Sequence, residues 1–580
     1  MLKRMRYLLL LSLLMTPFLL AEKLPENSFR ILCYHNVVDK ITDPKIMNIT
    51  TDQLIAHFKW LKTHHYHVIS VDDILAAKRG EKKLPPNAVL LTFDDGYVSF
   101  YTRIYPLLKL YNYHAVFALV GKWQQTPLGK TFLYGTQKRS RKMLLTWEEI
   151  REMMDSGLVE FASHTYDSHH GILANPQGNT QPAMTTLQYD PKTGHYETVD
   201  HYIRRISEDL QKSSDVIYRH TGKRPRIIVW PYGAYTGLAQ QAAKKSGMPI
   251  AMTLDDGINT PADLPALKRV LIESNPAFDD FYWSVTDTAV DLPSPEHTLF
   301  IDIAEVYDPD PKIANKRLGI LIEKIRKFKI STVILSAGSD LDKDGYIDTL
   351  YFPNETLPMR SDFLNRVAWQ LKSRAPIEDV YVSLPLYTFE KNGKPIDVEM
   401  QSGQQALFNI YYSLSRQTFF KGILFDDSFD PKHLATQSII KLSQALYQNI
   451  RPFSGNVKTA LMIDARALFA PDGSGYAELL KHYHYLYLDT RDLLRHPNSL
   501  STSIDRLSKK LAAIPGASKK SVVVLDEQRD IADRRVIRTI DRLYRSKIVN
   551  VGYRPSTFVD SMKSHANLIK IFSLRESPFE

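Results

Sequence analysis

The sequence predicts an α/β protein built from two barrel domains, and three observations lead to that prediction. Apolar strands alternate with amphipathic helices in two long series, one over residues 29–275 and one from residue 298 onwards. A Pro-containing segment, residues 291–295, separates the two series and has the composition of a linker. With 580 residues, the chain is also too long for one ordinary hydrophobic core.

In the first series, the alternation is typical of parallel strands with helices packed outside, which favours a barrel. One helix start is clearly marked, because Thr146 and Glu149 have the spacing of a capping box. Residues 171–199 are polar and without periodicity, which predicts a long surface loop. The predicted strands are 29–37, 67–71, 88–94, 114–121, 159–164, 227–232, 250–254 and 268–273, and the predicted helices include 52–63, 97–112, 147–156, 201–220 and 236–246.

The second series has the strand number and the length of a (β/α)8 barrel. Its eight predicted strands are 298–303, 331–337, 379–386, 422–426, 459–465, 483–488, 521–526 and 547–553. Active sites of such barrels lie at the carboxyl ends of the strands. Acidic residues crowd there and predict an acidic cleft: Asp302, Glu305, Asp426, Asp427, Asp464, Asp489, Asp526 and Glu527.

The first residues of the chain have the pattern of a secretory signal peptide. Three cations, Lys3, Arg4 and Arg6, precede the apolar run 7–20, and Ala21 follows it. We therefore expect residues 1–21 to be removed and the mature protein to be exported and soluble, with an uncleaved anchor as the alternative. No Cys lies near that site, so the sequence lacks the signal for a lipid anchor.

Cysteine content and charge give weaker information. Cys33 is the single cysteine, so no internal disulfide can form, and its apolar neighbours predict a buried, inert thiol. The net charge of +10 becomes +7 once the three N-terminal cations are removed. This charge is spread thinly and forms no block of the kind that binds nucleic acid.

A candidate metal site follows from two strand ends. Asp94 and Asp95 end the apolar strand 88–94, and His164 and His169 follow the strand 159–164. Buried charges need a partner, and one carboxylate with two imidazoles leaves a metal position open for water. We predict that Asp95, His164 and His169 bind Zn²⁺, with Ni, Co or Fe as alternatives, and that Asp94 is the general base of a metal-dependent hydrolase. The alternative is that the two Asp residues only cap a helix.

Two further strand ends supply candidates for the same site. His35 follows the first strand and could protonate a leaving amine, although a histidine after an apolar run is often only a core residue. In the turn that begins at Trp230, the backbone N–H of Tyr232 could stabilise an oxyanion while Trp230 offers a platform to a sugar. A plain turn is the alternative.

The acidic segment 340–348 resembles part of a calcium-binding loop. Asp340, Asp342, Asp344 and Gly345 fit the first positions of an EF-hand loop, but position 12 is Tyr351, where a bidentate acid is required. A strand precedes the segment where an EF-hand has a helix. A turn-rich loop is therefore the favoured interpretation, with a Ca²⁺ site or a surface for cationic sugar as alternatives.

Three motifs give the N-terminal half a clear family resemblance. Thr-Phe-Asp-Asp-Gly at 92–96, Ser-His-Thr at 163–165 and Pro-Tyr-Gly at 231–233 resemble the motifs of the polysaccharide deacetylase (NodB-homology, carbohydrate esterase family 4) superfamily. The resemblance implies a distorted (β/α) barrel that removes N-acetyl groups from a polysaccharide with a metal ion. Three departures stand out: His164 and His169 are five residues apart instead of four, Trp230 stands where an Arg is usual, and Arg269 lies where a Leu-x-His motif is usual.

The early Tyr34-His35 pair resembles a narrower group, the PgaB/HmsF-type poly-β-1,6-N-acetyl-D-glucosamine N-deacetylases of biofilm export. Further similar segments are 147–170, 306–311, which contains Tyr307 and Asp308, 351–354 and 365–371. This resemblance covers most of residues 29–430. It implies a deacetylase domain at 22–288 and a glycan-binding or glycoside hydrolase domain at 296–580.

The same resemblance implies partners and roles. The substrate would be poly-N-acetylglucosamine, an outer-membrane export porin would be a partner, and the protein would be a periplasmic monomer. In the C-terminal domain, Asp426 and Asp427 end the fourth predicted strand, where barrel hydrolases often place the acid, so they are the candidate catalytic residues, with Asp302 and Asp464 as possible partners. Asp302, Tyr307 and Asp308 are candidates for contacting the polymer. A second enzyme hypothesis is a deacetylase of another glycan, such as peptidoglycan or chitin. An alternative of a different class is a non-catalytic escort of polysaccharide.

Overall fold

The computed structural model describes residues 24–42, 47–286, 295–427, 435–469, 474–491, 500–527, 533–559 and 566–573. The predicted signal peptide and most of the predicted linker lie outside the described residues. Among the described helices, none has the length and apolar composition needed to cross a membrane. The chain folds into two compact units, and some residues between 171 and 199 belong to the second one.

The first unit is built around a curled sheet of parallel strands, which agrees with the predicted distorted barrel. An isolated parallel bridge between Met252 and Leu267 joins the first strand of the sheet order to the segment that leads into the last. The strand Ala88–Phe93 lies inside the sheet, and all six of its residues are buried, as a strand covered on both faces requires. The sheet order is Ile250–Met252, Ile227–Val229, Val159–Ser163, Ala115–Leu119, Ala88–Phe93, Phe29–Tyr34 and Val270–Leu271, with His67–Val68 paired beside Ala88–Phe93.

The helices of the first unit begin and end close to the predicted positions. The capping box at Thr146 is present, since Thr146 and Glu149 bond each other's backbone N–H groups at 3.2 and 2.7 Å. The predicted strand 67–71 is shorter because Ser70 caps the next helix. The helices are Thr51–Thr63, Val71–Lys78, Tyr105–Tyr111, Gly121–Gln124, Trp147–Asp155, Val199–Thr221, Gly237–Lys245 and Phe278–Thr286, with a π-helical turn at Phe100–Ile104 in the first part of the predicted helix 97–112.

The second unit contains a closed barrel of eight parallel strands, as predicted. Each strand pairs with its sequence neighbour, and the last pairs with the first through Val551 and His297. The strands are His297–Asp302, Thr332–Ser336, Asp379–Leu384, Gly422–Phe425, Lys458–Asp464, Tyr485–Asp489, Ser521–Asp526 and Val551–Arg554. The helices are Ile303–Val306, Pro311–Phe328, Leu364–Arg374, Gln401–Gln417, Thr436–Ile450, Ser474–His482, Leu500–Ala513, Ala517–Lys520, Asp533–Arg545 and Ala566–Phe572.

Residues 171–199 are more ordered than the predicted surface loop. Gly171–Leu173 and Thr180–Pro182 form a two-stranded sheet, and Tyr189–Asp190 pairs with His195–Tyr196. Residues 172–181 and 185–198 belong to the second compact unit. Within it, the Tyr196 hydroxyl donates to the Asp362 carboxylate at 2.5 Å and Gln181 Nε2 donates to Asn365 Oδ1 at 2.8 Å. These long-range contacts leave no periodic signal in the sequence, which explains the error.

Candidate metal centre

Asp95, His164 and His169 lie together in a buried cluster at the carboxyl edge of the first sheet. Nε2 of His169 is 3.3 Å from Asp95 Oδ1, and Nε2 of His164 is 3.6 Å from the same oxygen. One ligand atom from each residue lies within 4.8 Å of the others. The exposed fractions of the three residues are 1%, 2% and 8%. The structure therefore brings the three predicted ligands to one point, with their chelating atoms facing each other.

The chemistry of this cluster fits a divalent cation. Both carboxylate oxygens of Asp95 are buried, and neither has a hydrogen-bond partner, an arrangement that is costly unless a cation satisfies them. Nδ1 of His164 lies 2.7 Å from the carbonyl oxygen of Val229, so the ring donates there and presents the lone pair of Nε2 to Asp95. Burial lowers the pKa of His164 and of His169 to about 4, which keeps both imidazoles neutral and able to bind a metal at pH 7.

The backbone around the cluster is unusual in two places. Asp95 has a φ of +79° and Thr165 a φ of +69°, both in the left-handed region that residues other than glycine seldom adopt. The carboxylate of Asp209, on the helix Val199–Thr221, accepts hydrogen bonds from the backbone N–H groups of Tyr166 and Asp167 at 2.9 and 2.8 Å. Asp209 thereby orders the loop between the two histidines, which accommodates their five-residue spacing.

Asp94 is paired with Arg269 through two parallel hydrogen bonds. Arg269 Nη1 donates to Oδ1 at 2.8 Å and Nη2 donates to Oδ2 at 2.9 Å. Burial would raise the pKa of Asp94, but Arg269, followed by His164 and His35, lowers it below its ordinary value. Asp94 is therefore ionised at neutral pH, as a general base must be. The sequence analysis missed Arg269, since its position was recognised only as that of a missing Leu-x-His motif.

His35 lies at the same edge, as predicted from its position after the first strand. Ligand atoms of Cys33, His35 and Asp94 lie within 4.8 Å of each other, which forms a second acid–imidazole group. That group is the weaker metal candidate because Arg269 already engages both oxygens of Asp94. Cys33 is buried, as predicted, and burial raises the pKa of its thiol, so it stays protonated.

The two predicted residues of the next turn, Tyr232 and Trp230, differ in exposure. The ring of Tyr232 is half-exposed and its centroid lies 4.9 Å from that of His169, so the turn Pro231–Gly233 lies beside the cluster. Tyr232 has a left-handed φ of +59°. Trp230 is fully buried, so its indole cannot stack on a sugar, and the predicted platform is wrong. Trp230 directly follows the strand Ile227–Val229, and its side chain lies in the core.

Two aromatic residues that the sequence analysis did not single out border the cluster. The centroid of the Trp123 ring lies 4.9 Å from that of His169, and the Tyr134 ring lies 5.9 Å from it. The negative charge of Asp95, together with burial, raises the pKa of Tyr134 above its ordinary value. Tyr134 belongs to a short hairpin, Thr131–Tyr134 with Gln137–Ser140, that has no clear pattern in the sequence.

In the second unit, the two predicted catalytic acids end the strand Gly422–Phe425. Asp426 accepts a hydrogen bond from Arg554 Nη2 at 2.7 Å. Asp427 accepts from the backbone N–H groups of Leu386, Tyr387 and Thr388 at 2.8, 3.0 and 3.3 Å, and from the Thr388 hydroxyl at 3.2 Å. Burial nevertheless raises the pKa of Asp427 to about 7. Asp427 therefore holds the loop that follows the neighbouring strand.

Most carboxylates of the predicted acidic cleft form ion pairs or accept hydrogen bonds from nearby groups. Arg554 Nη1 and Arg491 Nε lie 3.7 and 4.0 Å from Asp526 Oδ2. Other carboxylates of the predicted cleft bond nearby side chains or backbone N–H groups: Asp464 with Arg466, Asp489 with Arg491, Glu527 with Tyr553, and Glu305 with the N–H of Phe558. The sequence shows the acids at the strand ends, but not the arginines that neutralise them.

The three predicted polymer contacts occupy different environments. Asp302 is exposed at the end of its strand, where it caps the helix Ile303–Val306 through the N–H of Ala304 at 2.9 Å. Tyr307 is partly buried against Tyr351 and Phe363. Asp308 forms an ion pair of 3.3 Å with Arg317. Asp302 is thus the most accessible of the three, whereas the other two have clear structural contacts.

Comparisons with known proteins match both units. The family model described as "Polysaccharide deacetylase" matches residues 81–251, and that described as "Hypothetical glycosyl hydrolase family 13" matches residues 300–407. The chain is 41% identical to the solved de-N-acetylase from Aggregatibacter actinomycetemcomitans, covering 44% of this chain and 99% of that one with a TM-score of 0.42. It is 24% identical to the PgaB (BpsB) glycoside hydrolase domain from Bordetella bronchiseptica, covering 49% and 100% with a TM-score of 0.43.

A relative matches over nearly the whole length of both chains. The poly-β-1,6-N-acetyl-D-glucosamine N-deacetylase of Escherichia coli K12 is 31% identical, and the match covers 93% of this chain and 91% of that protein. A match of that length includes parts of both units. The chain therefore belongs to the family of two-domain poly-β-1,6-N-acetyl-D-glucosamine N-deacetylases.

Proposed function

We propose that the first unit hydrolyses the N-acetyl amide bonds of poly-β-1,6-N-acetyl-D-glucosamine during export of a biofilm exopolysaccharide. The observation that carries this proposal is the cluster of Asp95, His164 and His169. Both carboxylate oxygens of Asp95 are buried there without hydrogen-bond partners. Asp94, ionised and adjacent, completes the set that amide hydrolysis needs. Zn²⁺ is the ion we propose for this site, with Ni, Co or Fe as alternatives.

When bound, the divalent cation would lower the pKa of water and polarise the acetamide carbonyl. The residues of the chain account for the remaining steps. Asp94, held ionised by Arg269, accepts a proton from the attacking water. His35, at the same edge of the sheet, gives a proton to the departing glucosamine nitrogen. The backbone N–H of Tyr232 donates to the oxygen that becomes negatively charged.

For the second unit, we propose that the barrel binds the partly deacetylated polymer at the carboxyl ends of its strands. Asp302 is exposed there and suits the ammonium group of glucosamine. Cleavage of the polymer by Asp426 and Asp427 is the second candidate. It is favoured by their position after the fourth strand of the barrel, Gly422–Phe425, since active sites of such barrels lie at the carboxyl ends of the strands.

The cellular setting follows from the N-terminal pattern and the family. We propose that the protein is exported, loses residues 1–21 and works as a soluble monomer in the periplasm. An outer-membrane export porin would receive the polymer from it. Fractionation of cells that express the full-length chain, followed by mass spectrometry of the mature N-terminus, tests the export and the cleavage site.

Acetate release tests the proposed activity. The purified 22–580 chain would be incubated with poly-β-1,6-N-acetylglucosamine oligomers as apo, Zn²⁺, Ni²⁺ and Co²⁺ forms, with mass spectrometry of the products. Asp94→Asn should keep the metal and lose turnover, whereas His164→Ala should lose both. His195→Ala, an exposed histidine in the hairpin at 189–196, is the matched control and should behave as wild type.

The outcomes separate the candidate functions. Metal-dependent acetate that disappears in Asp94→Asn supports the deacetylase, and shorter oligomers add the glycoside hydrolase. Acetate from peptidoglycan or chitin but not from this polymer would show another glycan as substrate. Full activity of Asp94→Asn would disprove the assignment of the base, and binding without acetate under any metal would indicate an escort.

A further inference from the structure

Five carboxylates from two separate loops of the second unit converge on one region. The loop 340–348 joins the short strands Gly338–Ser339 and Thr349–Leu350. Ligand atoms of Asp340, Asp342 and Asp344 lie within 4.8 Å of one another, and so do those of Asp342, Asp348 and Glu390. Asp342 belongs to both groups, so the five form one continuous cluster, which we call the acidic loop cluster.

Glu390 distinguishes this cluster from a solvated acidic turn. Its exposed fraction is only 6%, and a carboxylate oxygen of Glu390 lies within 4.8 Å of ligand atoms of Asp342 and Asp348. Burial, followed by repulsion from Asp344 and the other three aspartates, raises the pKa of Glu390. Oδ1 of Asp348, in the same group, is buried without a hydrogen-bond partner. A buried carboxylate oxygen that has no donor and lies beside other carboxylates is unfavourable unless a cation lies between them.

The loop itself has the backbone of a cation-binding turn. The carboxylate of Asp340 accepts from the N–H groups of Lys343 and Gly345 at 2.6 and 2.9 Å, which curls the loop around its first residue. Gly345 has a φ of +101°, which a side chain would strain, and it occupies the position where calcium loops need glycine. The loop lacks the bidentate acid that an EF-hand has at position 12, because Tyr351 stands there.

We propose that the acidic loop cluster binds one Ca²⁺ ion and that Glu390 supplies the carboxylate missing from position 12. The ligand set consists of oxygen atoms only, and Ca²⁺ accepts six to eight of them in a flexible geometry. The absence of imidazole or thiolate from the five side chains disfavours Zn²⁺ at this site. In an EF-hand the acid of position 12 belongs to the helix that follows the loop. Here Glu390, which comes from a later loop, would replace that acid.

The site would join two loops at the carboxyl end of the barrel. The N–H of Ile347 donates to the Thr388 carbonyl at 2.9 Å, and the N–H of Glu390 donates to the Ile347 carbonyl at 3.1 Å. Thr388 in turn donates its N–H and its hydroxyl to Asp427. Bound Ca²⁺ would therefore stabilise the loop that Asp427 holds through Thr388. The binding of Ca²⁺ does not depend on either proposed activity.

Calorimetric titration with CaCl₂ tests the site on the 22–580 chain after removal of metals with a chelator. Wild type should bind one Ca²⁺ with Kd between about 10⁻⁶ and 10⁻³ M, and Mg²⁺ should bind more weakly. Glu390→Gln should weaken Ca²⁺ binding at least tenfold, as should Asp342→Asn, whose side chain is exposed and does not support the core. Glu323→Gln removes an exposed carboxylate from the helix Pro311–Phe328 and should bind as wild type.

Thermal unfolding separates a metal ligand from a structural residue. In chelator, Glu390→Gln should melt at the same temperature as wild type or higher, because it removes repulsion. In millimolar Ca²⁺, the melting temperature should rise for wild type and for Glu323→Gln but not for Glu390→Gln. Equal Ca²⁺ binding by wild type and Glu390→Gln, or no heat of binding at 5 mM Ca²⁺, would overturn the proposal.

Discussion

Arg269 holds Asp94, the neighbour of Asp95 in the chain, through a bidentate ion pair of 2.8 and 2.9 Å. Both side chains are buried, and Arg269 Nε is also engaged by the Thr253 carbonyl at 2.9 Å. The guanidinium has no freedom to turn away, so the carboxylate keeps one orientation and its negative charge. Adjacent residues of the chain thus have different environments, since Asp94 is saturated by donors and Asp95 has none.

Replacing Arg269 should therefore change the pH dependence of deacetylation. In Arg269→Met, the pKa of Asp94 rises because burial is no longer opposed by the guanidinium. Since the base acts only when ionised, the acid limb of the kcat/KM profile should move to higher pH, and the loss of rate relative to wild type should grow as the pH falls. Metal content should stay at the wild-type value.

Arg30→Met is the matched control for that experiment. Arg30 is another fully buried arginine of the same sheet, near the start of the strand Phe29–Tyr34, with Asp256 at 3.9 Å. Its loss should lower stability without moving the pH profile. An unchanged profile in Arg269→Met, or an equal shift in Arg30→Met, would contradict the role of Arg269.

Asp95 should show opposite effects with and without metal. Burial raises the pKa of Asp95 and leaves both oxygens without partners, so Asp95→Asn should not destabilise the metal-free protein. The same substitution should abolish the rise in melting temperature on adding Zn²⁺. Differential scanning calorimetry with and without Zn²⁺, together with elemental analysis, checks both results. A large loss of stability in the metal-free variant would show instead that Asp95 has a structural role.

Asp209 should affect metal affinity although it lies outside the ligand set. Its carboxylate orders the backbone of Tyr166 and Asp167 between the two histidines. Asp209→Ala should lower Zn²⁺ affinity by about tenfold, in the range found for residues that orient metal ligands. Asp215→Ala, a partly exposed position of the same helix, is the control in a competition titration with a chromophoric chelator. Equal affinities of the two variants would refute this role.

Asp362 should make stability fall with pH in the acidic range. Burial raises its pKa from 3.8 to about 6. Between about pH 4 and pH 6 the folded state keeps a proton that the unfolded state has released, so this contribution is fully present below pH 4 and is lost as pH rises through 6. The loss is about 1–3 kcal/mol.

Asp362→Asn isolates that effect, because the amide oxygen can still accept from the Tyr196 hydroxyl. Urea unfolding at pH 4 and pH 6.5 should show the free energy of unfolding of wild type falling relative to that of the variant. A constant difference between the two proteins at both pH values would contradict the raised pKa.

Much of the fold was predictable from local patterns. All eight barrel strands lie within a few residues of their predicted positions, because each is an apolar run bounded by polar turns. The capping box at Thr146 was also predictable, since its two partners are three residues apart. The ordered hairpins in 171–199 were not, because their contacts are with Asp362 and Asn365, far along the chain.

The residues of the candidate site likewise include some that the sequence predicts and some that it does not. Asp94, Asp95 and His164 could be found because each lies just after the end of an apolar strand, and parallel strands bring such ends to one edge. His169 lies in the loop that follows the strand Val159–Ser163. Trp230 follows a strand in the same manner, but its side chain is buried in the core. Position along the strand does not show which way a side chain points, so that prediction was wrong.

The sequence by itself determined two α/β barrels, the ligand and base candidates, and the family. Only the tertiary structure decided which charged groups meet: Arg269 pairs with Asp94, Arg554 pairs with Asp426, and Glu390 lies beside aspartates of 340–348. Strand and helix formation depends on residues close in the chain, whose periodicity can be read. Charge pairing depends on distances through space between residues up to 175 positions apart, and no local pattern records them.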